Sequence, residues 1–211
     1  MNKLENLVIA NLKHRMFIWT PPKTGSTSAM DVLKNLGFSS YFNNSGYLSP
    51  HKDDPQHNHF CKLCSSHGNY SFITTLRNPY TIMSSYFLQT SKDFDSANTK
   101  NFEDYLNFYF YDDKHLEVKY FSCYNYSKRL PDYIIRLENM FDDYVKLPFV
   151  LGTDYYKSGQ LKKDCTVKKN PSQFPGFDWK SLYNQPLADI VYYNFAHVFE
   201  LGGYDKDSWK K

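Results

Sequence analysis

Apolar residues are spaced along this chain in two alternating periods. Short β-branched and aromatic runs, each bounded by turn residues, are followed by stretches whose apolar positions recur every three or four residues. Residues 17–20 (Phe-Ile-Trp-Thr) predict a strand, and Ala29, Val32, Leu33 and Leu36 mark the inner face of a helix stopped by Gly37. Residues 39–42 predict a short strand, and residues 72–76 (Phe-Ile-Thr-Thr-Leu) a longer one. Asn78 then suits an N-cap and Pro79 the first helical position, ahead of a stripe of Ile82, Met83, Tyr86 and Phe87. Residues 102–111 predict an aromatic-rich helix, 133–137 a strand and 140–145 a helix. The last helix opens near Pro186, carries Leu187, Ile190, Val191, Phe195, Val198 and Phe199 inward, and ends at Gly202. Strands alternating with helices predict an α/β fold with a central, mainly parallel sheet flanked by helices.

Between the predicted elements, residues 47–68 are polar, rich in histidine and without period, so they predict a long loop of the kind that carries function. No Pro/Gly/Ser-rich linker divides the 211 residues, which predicts a single domain over 1–211. The net charge of +3, from 25 basic and 22 acidic residues, is too mild for a nucleic-acid partner. It is compatible with an anionic cofactor. Four cysteines do not make a disulfide scaffold, and residues 1–15 hold no apolar run long enough for a signal peptide or membrane anchor. The expectation is therefore a cytoplasmic protein that does not engage a membrane. The 19 Tyr and 17 Phe are assigned to packing first.

Two junctions carry the candidate chemistry. Residues 17–30 read Phe-Ile-Trp-Thr-Pro-Pro-Lys-Thr-Gly-Ser-Thr-Ser-Ala-Met, a strand running through a turn into a helix. The turn offers consecutive backbone N–H groups, hydroxyls and the Lys23 ammonium at the positive end of a helix dipole, which is how a phosphate or sulfate is held. Taken alone, it also fits an ordinary loop in which Ser26 or Thr27 caps the helix. The order of residues excludes a Walker A loop, because Lys23 precedes Gly25 instead of following a second glycine, and a three-glycine dinucleotide fingerprint is absent. At the second junction Arg77 stands at the carboxyl end of a strand, where open α/β sheets gather ligands, and Ser85 follows eight residues later. An arginine fork with a hydroxyl suits a terminal phosphate.

In this order the two segments resemble the cofactor-binding motifs of sulfotransferases that use 3′-phosphoadenosine 5′-phosphosulfate (PAPS). The resemblance implies that Pro22, Lys23, Thr24, Gly25, Ser26, Thr27 and Ser28 form the loop around the 5′-phosphosulfate, and that Arg77-Asn78-Pro79 with Ser85 binds the 3′-phosphate. It extends weakly through residues 133–139, the Lys168-Lys169-Asn170 region and residues 199–204, with Lys168 and Lys169 as further phosphate contacts. It departs at Ile82, where many members carry a basic residue, and at Phe87, where many carry tyrosine. The implied fold is the P-loop-like sulfotransferase fold. The implied activity is transfer of a sulfuryl group to an acceptor hydroxyl of a carbohydrate or small glycan-like molecule, leaving adenosine 3′,5′-bisphosphate (PAP).

Such a transfer needs a cation at the leaving oxygen and a base at the acceptor. Lys23 is the candidate cation. Four of the seven histidines, His51, His57, His59 and His67, fall in the polar loop. His57-Asn58-His59, eighteen residues before Arg77, resembles the His-x-His segment of uronyl 2-O-sulfotransferase-type enzymes. That resemblance makes His59 the candidate base and His57 the residue that orients it or the substrate; the carboxylates of Asp53, Asp54 and Glu138 are the alternative bases. Two other functions fit parts of the chain. A P-loop-like nucleotide kinase would require Walker spacing and a magnesium-binding Asp after a strand, and neither is evident. A zinc-stabilised binding module would use Cys61 and Cys64 with His57, His59 or His67, although eleven residues is tight for ligands that usually come from separated segments.

Overall fold

The computed structural model describes residues 8–21, 23–40, 68–90, 99–111, 129–166 and 176–210. They pack as two compact units, one within Met1–Leu76 and Tyr120–Asn170, the other within Arg77–Lys119 and Pro171–Lys211.

The first unit is built on one sheet of five strands, β1 (Val8–Asn11), β2 (Met16–Trp19), β3 (Ser39–Ser40), β4 (Ser71–Leu76) and β5 (Tyr133–Arg136), in the order β3-β1-β2-β4-β5. β2, β4 and β5 are parallel neighbours, while β1 runs antiparallel to both β2 and β3. Four of the five strands therefore share one direction, as expected for an α/β chain. β1 went unrecognised in the sequence because four residues after a polar start show no period. It joins β2 through a tight turn in which Arg15 adopts φ 51° and the Asn11 Oδ1 accepts from the His14 N–H at 3.1 Å. Asn11 is itself buried, and its amide donates to the Leu36 carbonyl at 2.9 Å, tying this turn to the end of the first helix.

Alternation divides the sheet's side chains. Met16, Ile18, Ile73 and Ile135 face a core shared with Ala29, Val32, Leu33 and Leu36 of α1 (Ser26–Asn35). Met140 and Tyr144 of α4 (Met140–Tyr144) and Leu161 of α6 (Gln160–Thr166) complete this core. Each Val, Leu, Ile or Met among them, fully buried, stabilises by roughly 1.5–3 kcal/mol. On the opposite face Phe17 and Phe72 are also fully buried, in register and stacked at 5.1 Å. Gly37, at φ 81°, ends α1 as expected, with the Phe38 N–H bonded to the Leu33 carbonyl and the Gly37 N–H to that of Lys34. The polar helix α6, and α5 (Asp154–Lys157) before it, lack an apolar stripe and were not legible as elements.

The second unit holds α2 (Pro79–Thr90), α3 (Thr99–Tyr111), a 3-10 turn at Trp179–Leu182 and α7 (Gln185–Gly202). Aromatic edges hold it together. Tyr80 meets Tyr183 at 5.1 Å and Phe199 at 5.0 Å, Phe87 meets Phe102 at 5.1 Å, and Phe110 meets Phe195 at 5.9 Å. The Tyr183 hydroxyl donates to the Tyr80 carbonyl at 2.8 Å, and the Tyr80 hydroxyl to the Lys206 carbonyl at 2.7 Å. The chain's aromatic richness is here a packing device. Ile190 is only half-buried, unlike the other residues expected on the inner face of α7, and the helix ends at Gly202 as expected, capped by Gly203 at φ 64°.

Among the described residues no helix is long and apolar enough to cross a membrane.

The segment that follows β5 is clamped by a buried carboxylate. Asp143 accepts from the Arg136 Nε and backbone N–H at 2.9 Å, from Arg136 Nη2 at 2.8 Å and from Lys146 Nζ at 2.6 Å. Burial pushes the carboxyl's pKa up, but these hydrogen bonds outweigh it and hold it below the ordinary value. Asp143→Ala should cost roughly 1.5–3 kcal/mol, because it removes a buried carboxylate that accepts from the half-buried Arg136 fork and its backbone N–H. A folded pKa below the unfolded one means the contribution is complete above about pH 4 and fades as pH falls through the folded value. Urea unfolding of the two proteins should therefore show a gap that narrows in acid, and a gap independent of pH would refute the clamp.

Candidate anion site

The parallel pairing of β2 with β4 puts the carboxyl ends of these strands side by side, with Trp19 opposite Thr74. Both candidate motifs leave the sheet from these ends. Beyond β2 the chain turns through Lys23, Thr24 and Gly25 into α1. Beyond β4 the next residue is Arg77.

The turn is held in an uncommon backbone conformation. Lys23 has φ 63° and Gly25 φ 87°, both left-handed. For a lysine this conformation costs roughly 1–2 kcal/mol and persists only where the surroundings over-determine it. The constraint comes from Thr24, whose buried hydroxyl donates to the Pro21 carbonyl at 2.6 Å and lies 2.6 Å from the hydroxyl of Thr75. A carbonyl oxygen can only accept, so Thr24 commits its one proton to Pro21 and Thr75 must donate to Thr24. Of the hydroxyls expected to face an anion, that of Thr24 is thus turned inward, where it closes the loop.

Gly25, and neither Ser26 nor Thr27, is the N-cap of α1. It brings no side-chain acceptor, and the first helical hydrogen bond is that of the Ala29 N–H to the Gly25 carbonyl at 2.9 Å. The N–H groups of the first turn have no partner inside the helix, and no acidic residue stands there to satisfy them or cancel the dipole. Ser28 is half-buried in the same turn. Across from Gly25 lies Leu137, in the 3-10 turn Leu137–Asn139 that follows β5, so the third parallel strand also delivers its exit to this loop. Glu138, exposed in that turn, is the one carboxylate among the sequence candidates that the described residues include.

The second motif takes the local form its sequence predicted. Asn78 caps α2, its Oδ1 accepting from the Tyr80 N–H at 3.0 Å, with Pro79 at the first helical position. The Asn78 amide donates to the Ser208 hydroxyl at 2.8 Å, which ties this cap to the C-terminal segment. Arg77 is half-buried before the cap, and Ser85 is half-buried on α2. His51, Asp53, Asp54, His57, His59, Cys61, Cys64, His67, Lys168 and Lys169 lie outside the described residues. Among the described residues no group of histidine, cysteine or carboxylate side chains could hold a metal ion.

Thr75 and Leu137 are the participants that sequence reading passed over. Thr75 had a signal: two threonines in the middle of an apolar strand are buried polar groups, and buried hydroxyls require partners. Leu137 had none, because its contact with Gly25 joins residues 112 positions apart.

The described residues bring together a lysine, a helix N-terminus whose glycine cap offers no side-chain acceptor, and a loop closed from beneath by Thr24 and Thr75. Gly25→Ala tests the lock. A Cβ at this position would run into the Leu137 side chain and force a non-glycine residue to φ 87°. The variant should lose roughly 1–3 kcal/mol in chemical denaturation, and unchanged stability would refute the left-handed cap. In comparison with known proteins, the chain matches no family model, no curated protein and no solved structure.

Proposed function

We propose that this chain is a sulfotransferase that moves a sulfuryl group from PAPS to an acceptor hydroxyl of a carbohydrate or other small glycan-like molecule. One observation carries the reading: Lys23 and Gly25 hold a left-handed turn between a parallel strand and a helix N-terminus whose glycine cap offers no side-chain acceptor, beside the strand end from which Arg77 continues. The donor set fits the 5′-phosphosulfate, since an ammonium and several N–H groups offer only positive charge and hydrogen-bond donors. Phosphates in general would satisfy the same set. The lysine-before-glycine order, followed by Arg-Asn-Pro, favours the sulfuryl donor over a nucleoside triphosphate.

When bound, PAPS supplies the activated sulfuryl group and a phosphate leaving group. The N–H groups of the α1 first turn and Ser28 bind and orient the 5′-phosphate, and Arg77 and Ser85 take the 3′-phosphate. With the donor bound, Lys23 would supply positive charge beside the leaving phosphate, a role that is purely electrostatic. His59 accepts the proton released by the acceptor hydroxyl as its oxygen bonds to sulfur, with His57 orienting it. Lys168 and Lys169 add positive charge at the cofactor phosphates. The P-loop-like sulfotransferase fold belongs to the same proposal.

PAP at a hundredfold excess over its Kd should stabilise the protein by about 2.7 kcal/mol, which raises Tm by several degrees. Lys23→Ala and Arg77→Ala should abolish the rise. His59→Ala should keep it while losing transfer of labelled sulfuryl group from PAPS to an acceptor. A wild-type Tm indifferent to PAP would refute the proposal.

A further inference from the structure

We infer that Thr75 is a positioning residue for the anion loop, holding Lys23 in its left-handed conformation through a relay of two hydroxyls. The inference rests on the anion-binding reading above and assigns a task to a residue that meets no ligand.

Thr75 lies in β4 between Thr74 and Leu76, all three almost completely buried. Its neighbour Thr74 binds within the sheet, its hydroxyl donating to the Trp19 carbonyl at 3.2 Å. Thr75 instead reaches beyond the last β2–β4 register pair, Trp19 with Thr74, to the loop that leaves β2. There the proton order is forced: Thr75 donates to Thr24, and Thr24 donates to Pro21, over two contacts of 2.6 Å each. Pro21 and Thr24 bracket Lys23, so the relay pulls together the two sides of the residue that carries the backbone strain. The backbone alone closes this turn poorly, with the Thr24 N–H 3.4 Å from the Pro21 carbonyl. The hydroxyls supply the closure.

Removing the Thr75 hydroxyl leaves a buried acceptor on Thr24 without its donor, and the least costly relief is rotation of Thr24 away from β4. Lys23 is then able to relax out of the left-handed region, which moves the loop backbone and the residue that carries the ammonium. Displacement of about an ångström is enough to weaken an oriented anion site substantially. Thr75 also lies two residues before Arg77, so the same strand end sets where both motifs begin.

The test compares wild type, Thr75→Val and Thr75→Ser. Valine preserves the branched shape in the strand and removes the hydroxyl, whereas serine keeps the hydroxyl. Two readouts are taken on each: PAP and inorganic pyrophosphate affinity by calorimetry, and the backbone ¹³Cα and amide shifts of Lys23 and Gly25 without ligand. Thr75→Val should bind both anions about tenfold more weakly and shift the Lys23 and Gly25 resonances, while those of β2 and β4 outside residues 74–76 stay in place. Thr75→Ser should restore both. If Thr75→Val does not fold, Thr75→Ala reads the same loss. Wild-type affinity in the hydroxyl-free variant, or unchanged Lys23 and Gly25 shifts, overturns the inference. If the wild type binds neither anion, the functional reading fails on its own, and the ligand-free shifts still decide whether Thr75 holds the loop.

Discussion

The parallel register of β2 on β4 is the constraint on which the rest of the first unit depends. Parallel strands cannot be joined by a tight turn, so the chain must leave β2 at its carboxyl end and cross over before entering β4. That requirement forces a loop at each carboxyl end and places the loops together. The fully buried Ile18 and Ile73 on one face, and the stacked Phe17 and Phe72 on the other, fix this register, because a slip of one residue would exchange the two faces. β5 adds a third exit at the same edge, and Leu137 from that exit packs against Gly25. The meeting of these exits at one edge follows from topology before any particular side chain is considered.

Side chains then decide what the edge can do. The loop after β2 is strained at Lys23, and the strain is balanced by buried hydroxyl contacts beneath it. α1 is capped by a glycine, which offers no side-chain acceptor to the first-turn N–H groups that a serine or aspartate would satisfy. In a helix built for stability alone, this is a disadvantage of roughly a few tenths of a kcal/mol. Its presence beside a left-handed lysine is a deviation from local preference of the kind that collects at functional sites. By contrast, the second motif follows local preference closely. Asn78 caps, Pro79 starts the helix, and neighbouring aromatic rings hold the first turn.

The strongest charged interaction described, that of Asp143 with Arg136 and Lys146, belongs to this same architecture. It holds the chain that leaves β5 and so supports the turn carrying Leu137 and Glu138. A buried carboxylate with two cationic partners sets one geometry firmly, which suits a supporting role.

Much of this was written in the sequence. Periodicity located β2, β4, β5, α1, α2, α3 and α7 to within a few residues, since each buries a face whose spacing repeats locally. Gly25, Gly37, Asn78 and Pro79 announced their turns because their backbone preferences are intrinsic. β1, α5 and α6 were hidden, because short or polar segments acquire their structure from neighbours. The candidate anion site divides in the same way. Lys23, Gly25 and Arg77 could be named from order and spacing alone, whereas the inward turn of Thr24, its relay to Thr75 and the contact of Leu137 with Gly25 join residues 51 and 112 positions apart. Only the folded sheet decides such contacts, because hydrogen bonds between distant residues have no local period, and they form only where the strands have already been brought side by side.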